Sequence, residues 1–304
     1  MTALRLILNG KSAQKPAVRK AVGDLRKLGH TVEVRVTWEG GDVRRLVEEA
    51  LHDAASGRVD TIVAGGGDGT VNAIVGQAFR AGIPAGCTFG ILPLGTANDF
   101  ARSLGLPVDD LTAALLLGAT ATASSIDLGL IDGRPFVNMV TGGFGSRITA
   151  ETDPALKRRL GGLAYALTGI ARIKDLSASE GMFRAEGFEW AGPFTALAIG
   201  NGRQAGGGIQ LCPDAKLDDG LLDLTILPYL APRDQPEILG RLLRDGAAGV
   251  LGLLKTARSA WIEYESSEEL HVNLDGEPIR TRRFRVECRP GAIAVHAGAT
   301  PLIG

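Results

Sequence analysis

The sequence predicts an α/β domain, a parallel sheet with helices on both faces, followed by a mainly antiparallel β domain read as a sandwich. Three observations predict it. Strand-length apolar runs alternate with helix-period segments through about residue 125, and short connections between them imply parallel strands. Helical periodicity then thins after Ile126. Beyond that point Asp-Gly steps recur inside alternating segments, the strongest hairpin signal in a single sequence. At 304 residues, 45% hydrophobic and 22% charged, the chain has enough apolar sequence for two ordinary cores.

In order, residues 4–9 (LRLILN) read as a buried strand closed by a Gly-Lys-Ser turn. Residues 17–28 repeat Val18, Val22 and Leu25 at helical spacing, and Gly29 stops them. Residues 31–37 alternate Val32, Val34, Val36, a strand; Asp42 then opens a helix with Val43, Leu46, Val47, Ala50 and Leu51 on one face. Residues 61–64 form a short strand entering a glycine cluster, 71–80 a helix, 88–92 a strand and 96–104 a helix. The second half carries SSIDLGLIDGRPFVNMV, FTALAIGNG, LDDGLLDLTIL, LHVNLDGEPI and FRVECRP, with helical inserts expected at 154–176 and 235–260. The boundary is placed at 124–127.

Composition excludes several classes. A net charge of −1 gives no global basic field for nucleic acid, and 5% aromatics argue against a stacking platform. Cys87, Cys212 and Cys288 form no CxxC pair, which reads as buried thiols in a reducing compartment. His30, His52, His271 and His296 show no metal-ligand spacing. The start lacks a basic n-region and a cleavage site, and the longest uncharged stretch, 111–126, falls short of the roughly 20 residues that span a bilayer. The expectation is a cytoplasmic protein that meets lipid only peripherally.

Gly65-Gly66-Gly67-Asp68-Gly69-Thr70 lies between a predicted strand and helix. Consecutive glycines let the backbone approach a phosphate, and the helix start adds its positive dipole end. Asp68 would repel a phosphate unless Mg²⁺ or water intervenes, which favours a metal–nucleotide site; the alternative is a turn with Asp68 as helix cap. The loop lacks the Lys-Ser/Thr step of a Walker motif. Leu92-Pro93-Leu94-Gly95-Thr96-Ala97-Asn98-Asp99-Phe100 repeats the strand–turn–helix design. Thr96 and Asn98 are candidate phosphate or ribose contacts and Asp99 a candidate orienting group, against ordinary capping as the alternative.

This pair of motifs resembles the catalytic domain of the diacylglycerol kinase superfamily, which includes sphingosine and ceramide kinases. LILNGKS, VRVTWEGGD, NMVTGGFGSRIT, IGNGRQAGGGIQLCP, DDGLL and NLDGEP extend the resemblance along nearly the whole chain, towards the bacterial lipid kinases. It implies an ATP-binding domain at 1–125, with 290–304 packing back on it, and a larger lipid-binding β-sandwich at 126–289, the active site lying in the cleft between. It implies nucleotide contacts at Thr37, Gly65, Gly66, Gly67, Asp68, Gly69, Thr70 and Thr96. It also implies a Mg²⁺ site (Ca²⁺ or Mn²⁺ as alternatives) formed by the Asp219 carboxylate and the carbonyls of Lys216 and Leu221. The alternative there is a plain Asp-Gly hairpin turn. Glu277 matches the superfamily's general base, with Asp275 as second choice or helper; both otherwise read as a solvated hairpin tip.

The reading is therefore an ATP-dependent kinase acting on a hydroxyl of a phosphatidylglycerol-like or diacylglycerol-like lipid, peripheral to the inner membrane when acting. A homodimer is left open. Arg280, Arg282, Arg283 and Arg285 read as a solvated face or an anionic head-group contact. Segments 156–176 and 241–258 read as helices covering the β domain, the alternative being insertion into a membrane interface. The rival functions are an NAD kinase-like enzyme, which shares the Gly-Gly-Asp-Gly loop, and a nucleotide-binding regulator without catalysis.

Overall fold

The computed structural model describes residues 1–143, 178–231 and 251–299, with Glu237, Gly240 and Arg244 besides. Its first part alternates β1 (Ala3–Asn9), α1 (Gly10–Ala13), α2 (Pro16–Lys27), β2 (Thr31–Thr37), α3 (Asp42–Ala55), β3 (Thr61–Gly66), α4 (Asp68–Ala81), β4 (Thr88–Pro93), α5 (Asp99–Ser103) and α6 (Leu111–Thr120). Strands β4, β3, β1 and β2 lie side by side, all parallel. Leu6, Leu8 and Val63 pack with α2 residues Val18 and Leu25 on one face. Ile7, Ile62 and Ala64 pack with α3 and α4 residues such as Val47 and Ile74 on the other. Period-two strands between 3.6-period helices put the apolar residues there.

Antiparallel pairing takes over with β5 (Ala123–Ile131), β6 (Arg134–Phe136), β7 (Met139–Gly143), β8 (Ser179–Ala185), β9 (Phe188–Gly200), β12 (Leu222–Pro228), β13 (Lys255–Ser259), β14 (Trp261–Leu274) and β15 (Glu277–His296). Two short strands, β10 (Gln204–Ala205) and β11 (Ile209–Gln210), form a separate pair. The long strands β9 and β14 each change partner midway: both pair with β8 at one end and with β7 at the other. That exchange folds the sheet over a core in which Phe183, Phe194, Tyr264 and Phe284 pack ring to ring. The described chain thus has the expected α/β unit followed by a mostly antiparallel β unit.

The Asp-Gly signals resolve into two kinds. Asp132-Gly133 and Asp275-Gly276 are two-residue hairpin turns, each Asp and Gly at positive φ, joining β5 to β6 and β14 to β15. Asp219-Gly220 is not a hairpin: it lies in the loop that leads from β11 into β12. Three further expectations shift. The helix expected over 96–104 shrinks to α5, because Asn98 takes a left-handed conformation at φ 51° and turns the chain before it. The boundary placed at 124–127 falls within β5. The insert expected over 235–260 ends as strand β13, paired with β12 so that Arg258 stands opposite Asp223. The rest of that insert, apart from single positions, and the one at 154–176 lie outside the described residues.

Candidate active site

The carboxyl ends of β3 and β4 carry the two glycine motifs, and the backbone welds them together. Leu94 N–H donates to Gly66 O at 2.9 Å. Gly67 and Gly95 approach so closely that a Cβ on Gly67 would sit 3.0 Å from Gly95 Cα. No side chain fits at that crossing, so two glycines are required there. Asp68 does not cap its own helix, because the cap of α4 is Gly67. Its Oδ1 accepts from Phe100 N–H at 2.9 Å instead, tying the first motif to the second. The α4 N-terminus, with its positive dipole end, is left facing the crevice beyond the strands.

Asn98 does something other than expected. Its Oδ1 accepts from Gly95 N–H at 2.9 Å and its amide donates to Gly95 O at 3.0 Å. Both ends of the side chain are used to shape the loop, so it is a scaffold for the phosphate crevice. Thr96 stays exposed on that loop, and Thr70 lies on the first turn of α4. Thr37 ends β2, two strands across from β3, with its hydroxyl 3.4 Å from Leu8 O.

The β14–β15 hairpin brings its tip to this crevice: a Cβ on Gly69 would lie 3.6 Å from Asp275 O. Asp275 is the half-buried member of the tip. Its Oδ2 accepts from Val137 N–H at 2.8 Å and Asn138 N–H at 3.0 Å, and its Oδ1 from Met139 N–H at 2.8 Å. Burial pushes its carboxyl up to about 6, with the nearby Asp68 charge adding, while the three amide donors hold it down. Both carboxyl oxygens of Asp275 are thus engaged by backbone amides. Glu277, two residues on, is exposed. The structure therefore gathers Gly65 to Thr70, Thr96, Asp275 and Glu277 around one crevice.

Segment 216–221 is held apart by its own partners. Asp127, buried in β5, accepts from Gly220 N–H (Oδ2, 2.7 Å) and Gly291 N–H (Oδ1, 2.8 Å), and its own N–H donates to Leu217 O at 2.7 Å. Asp219 Oδ1 accepts from Leu221 N–H at 3.1 Å, and its Oδ2 is ion-paired with the Arg258 guanidinium. The expected cation set of Lys216, Asp219 and Leu221 thus offers one carboxylate, already paired with the Arg258 guanidinium, and two neutral carbonyls. Among the described residues no group of three or more His, Cys, Asp or Glu is arranged to hold a metal. As arranged, these residues do not fit a tightly held divalent ion, which departs from the expectation.

Sequence reasoning named Asp99 as an orienting group without its target, and missed Asn201 and Asp127. Asp99 Oδ2 accepts from Gly207 N–H at 2.9 Å and its Oδ1 from Gly208 N–H at 2.7 Å, latching α5 to a glycine loop of the β unit. Asn201, fully buried, donates to Asp127 O at 3.0 Å and Val137 O at 2.8 Å. Asp127 itself is 2% exposed. A lone charge inside the apolar run SSIDLGLI was the available signal for Asp127, since buried charges need partners. Among the described residues no helix is long and apolar enough to cross a membrane.

Comparison with known proteins agrees with this geometry. Residues 3–131 match the family "Diacylglycerol kinase catalytic domain", and residues 138–297 match "YegS C-terminal NAD kinase beta sandwich-like domain". A Pseudomonas aeruginosa protein named "Probable lipid kinase YegS-like" is 51% identical over 299 residues, 98% of this chain and 95% of the relative. A Stenotrophomonas maltophilia protein of the same name is 47% identical over 311 residues, 99% of this chain and 98% of the relative. A solved structure described as a putative diacylglycerol kinase from Bacillus anthracis superposes with a TM-score of 0.75 at 25% identity, covering 97% of this chain and 95% of that one.

Proposed function

Since the chain belongs to the YegS-like lipid kinases of the diacylglycerol kinase family, and so is an ATP-dependent phosphotransferase, we propose how it works and on what. The acceptor is a hydroxyl of a phosphatidylglycerol-like or diacylglycerol-like lipid. Gly65 to Thr70 and Thr96 bind the phosphates of ATP, and Thr37 meets the nucleotide further along the sheet edge. The nucleotide enters with its own Mg²⁺, which neutralises phosphate charge when bound. Glu277 takes the acceptor's hydroxyl proton as the oxygen attacks the γ-phosphorus. Asp275 holds the tip that carries Glu277, and Asp68 holds the second loop against the first. A lipid acceptor lies in a bilayer, so the enzyme meets the membrane transiently and peripherally.

The observation that supports this reading is the placement of the hairpin tip against the phosphate crevice at Gly69. Phosphoryl transfer asks for backbone donors at the phosphates and a carboxylate within reach of the attacking hydroxyl. Glu277 is the exposed carboxylate of the tip. Glu277→Gln is expected to lower kcat by about 100- to 10,000-fold, the usual range for a lost general base. ATP affinity by calorimetry should stay unchanged. Full turnover in that variant would remove Glu277 from the role.

A further inference from the structure

The ion pair at segment 216–221 has a source in the sheet register. Antiparallel pairing of β12 with β13 sets Arg258 directly opposite Asp223, and Arg258 Nε lies 3.3 Å from Asp223 Oδ2. The same guanidinium reaches back to Asp219 Oδ2, so one planar group bridges two carboxylates. Asp214 adds a third negative charge close enough to act on Asp223. Asp219 from the loop and Asp223 from β12 face Arg258.

We infer that Arg258 is the built-in cation of this segment, a positioning residue that does the work a bound divalent ion would otherwise do. This rests on the kinase reading only for its consequence, not for its chemistry. A fixed positive charge at the mouth of Asp219 pairs the Asp219 and Asp223 carboxylates, which would otherwise draw in Mg²⁺ or Ca²⁺.

The consequence follows from a continuous set of contacts. Arg258 fixes Asp219, Asp219 Oδ1 fixes Leu221 N–H, and the neighbouring Gly220 N–H is seated on Asp127. The Asp127 carbonyl accepts from Asn201, which also binds Val137 O; Val137 N–H donates to Asp275. Arg258 thereby supports the hairpin tip at the phosphate crevice from the far side of the β unit. Without Arg258, the Asp219 and Asp223 carboxylates would stand close together and uncompensated. That is an all-oxygen set suited to a hard cation.

The test uses the full-length protein, freed of metal by chelator and dialysed, with metal content and thermal unfolding as readouts. Wild type is expected to carry no stoichiometric divalent ion and to melt at the same temperature in chelator, Mg²⁺ or Ca²⁺. Arg258→Ala is expected to melt lower in chelator and to regain most of the loss in Ca²⁺. Arg258→Lys should lie between, and Asp219→Asn combined with Arg258→Ala should abolish the regain. A stoichiometric ion in wild type, lost in Asp219→Asn, would overturn the inference. So would an Arg258→Ala protein that melts like wild type, or one that Ca²⁺ leaves unmoved. If Arg258→Ala does not fold, the wild-type metal content and melting decide alone. Neither readout depends on phosphoryl transfer, so loss of the kinase reading would be seen separately, as absent turnover.

Discussion

Asp275 concentrates the chemistry of the crevice in one side chain. Its carboxylate gathers the N–H groups of Val137, Asn138 and Met139, fixing the tip that bears Glu277. Asp275→Asn keeps the shape but turns one acceptor into a donor facing an N–H. The expected cost is about 1–3 kcal/mol of stability by urea unfolding, the cost of a buried polar group left unpaired, together with a fall in kcat. The pH dependence has a definite sign. Burial raises this carboxyl from 3.8 to about 6 in the folded protein, so its contribution to stability is present below pH 3.8 and is lost as pH rises through about 6. The Asn variant should lack that slope between pH 4 and 6.5. The Asp-Gly-Glu triplet was legible in the sequence as a hairpin tip with two candidate carboxylates. Which of the two is tied to the backbone was not, because that depends on three amides more than a hundred residues away in the chain.

Single elements show why some site residues were readable and others hidden. Glycine runs between a strand and a helix announce a phosphate loop whatever surrounds them, and β3–α4 follows that rule. The second motif announced polar groups but not their targets: Asn98 turned inward onto Gly95, and Asp99 turned outward onto the Gly206–208 loop. Tertiary contacts chose between those directions, and local sequence cannot. Arg258 was hidden for another reason, since the apolar repeat of 241–258 reads as helix while its last residues pair with β12. The Asp99 latch makes its own prediction. Asp99→Asn removes one of two acceptors for Gly207 and Gly208, so their amides should exchange with solvent about 10- to 100-fold faster, matching a lost bond of 1–3 kcal/mol. Unchanged exchange there would mean that the loop holds its shape without Asp99.

Across the whole molecule, β15 is the strand that unites the two units. It starts at Glu277 in the hairpin, pairs with β14 and β5, and ends with Val295 beside Phe89 of β4 in the parallel sheet. Ile293 and Val295 are buried in the α/β core, and His296 Nε2 lies 2.9 Å from the Thr88 hydroxyl. Gly291 N–H binds Asp127. A chain ending at Pro290 would lose both apolar side chains, about 3–6 kcal/mol of burial, from a total stability of about 5–15 kcal/mol. It is expected to show no cooperative melt, and a wild-type melt would contradict that role for β15. The two-unit architecture was legible from the change of periodicity near residue 126. The return of 290–304 to the first unit was expected only through the family resemblance, and the length of β15 was not, because β pairing across such separations leaves no local pattern.

The central claim is phosphoryl transfer to a lipid hydroxyl, and transfer of labelled γ-phosphate from ATP with Mg²⁺ tests it most directly. The panel would hold diacylglycerol, phosphatidylglycerol, ceramide and sphingosine in mixed micelles, with NAD assayed separately. The expected result is label in diacylglycerol or phosphatidylglycerol, absent when Glu277→Gln replaces wild type. Label in NAD alone, or none in any acceptor while ATP still binds, would contradict it.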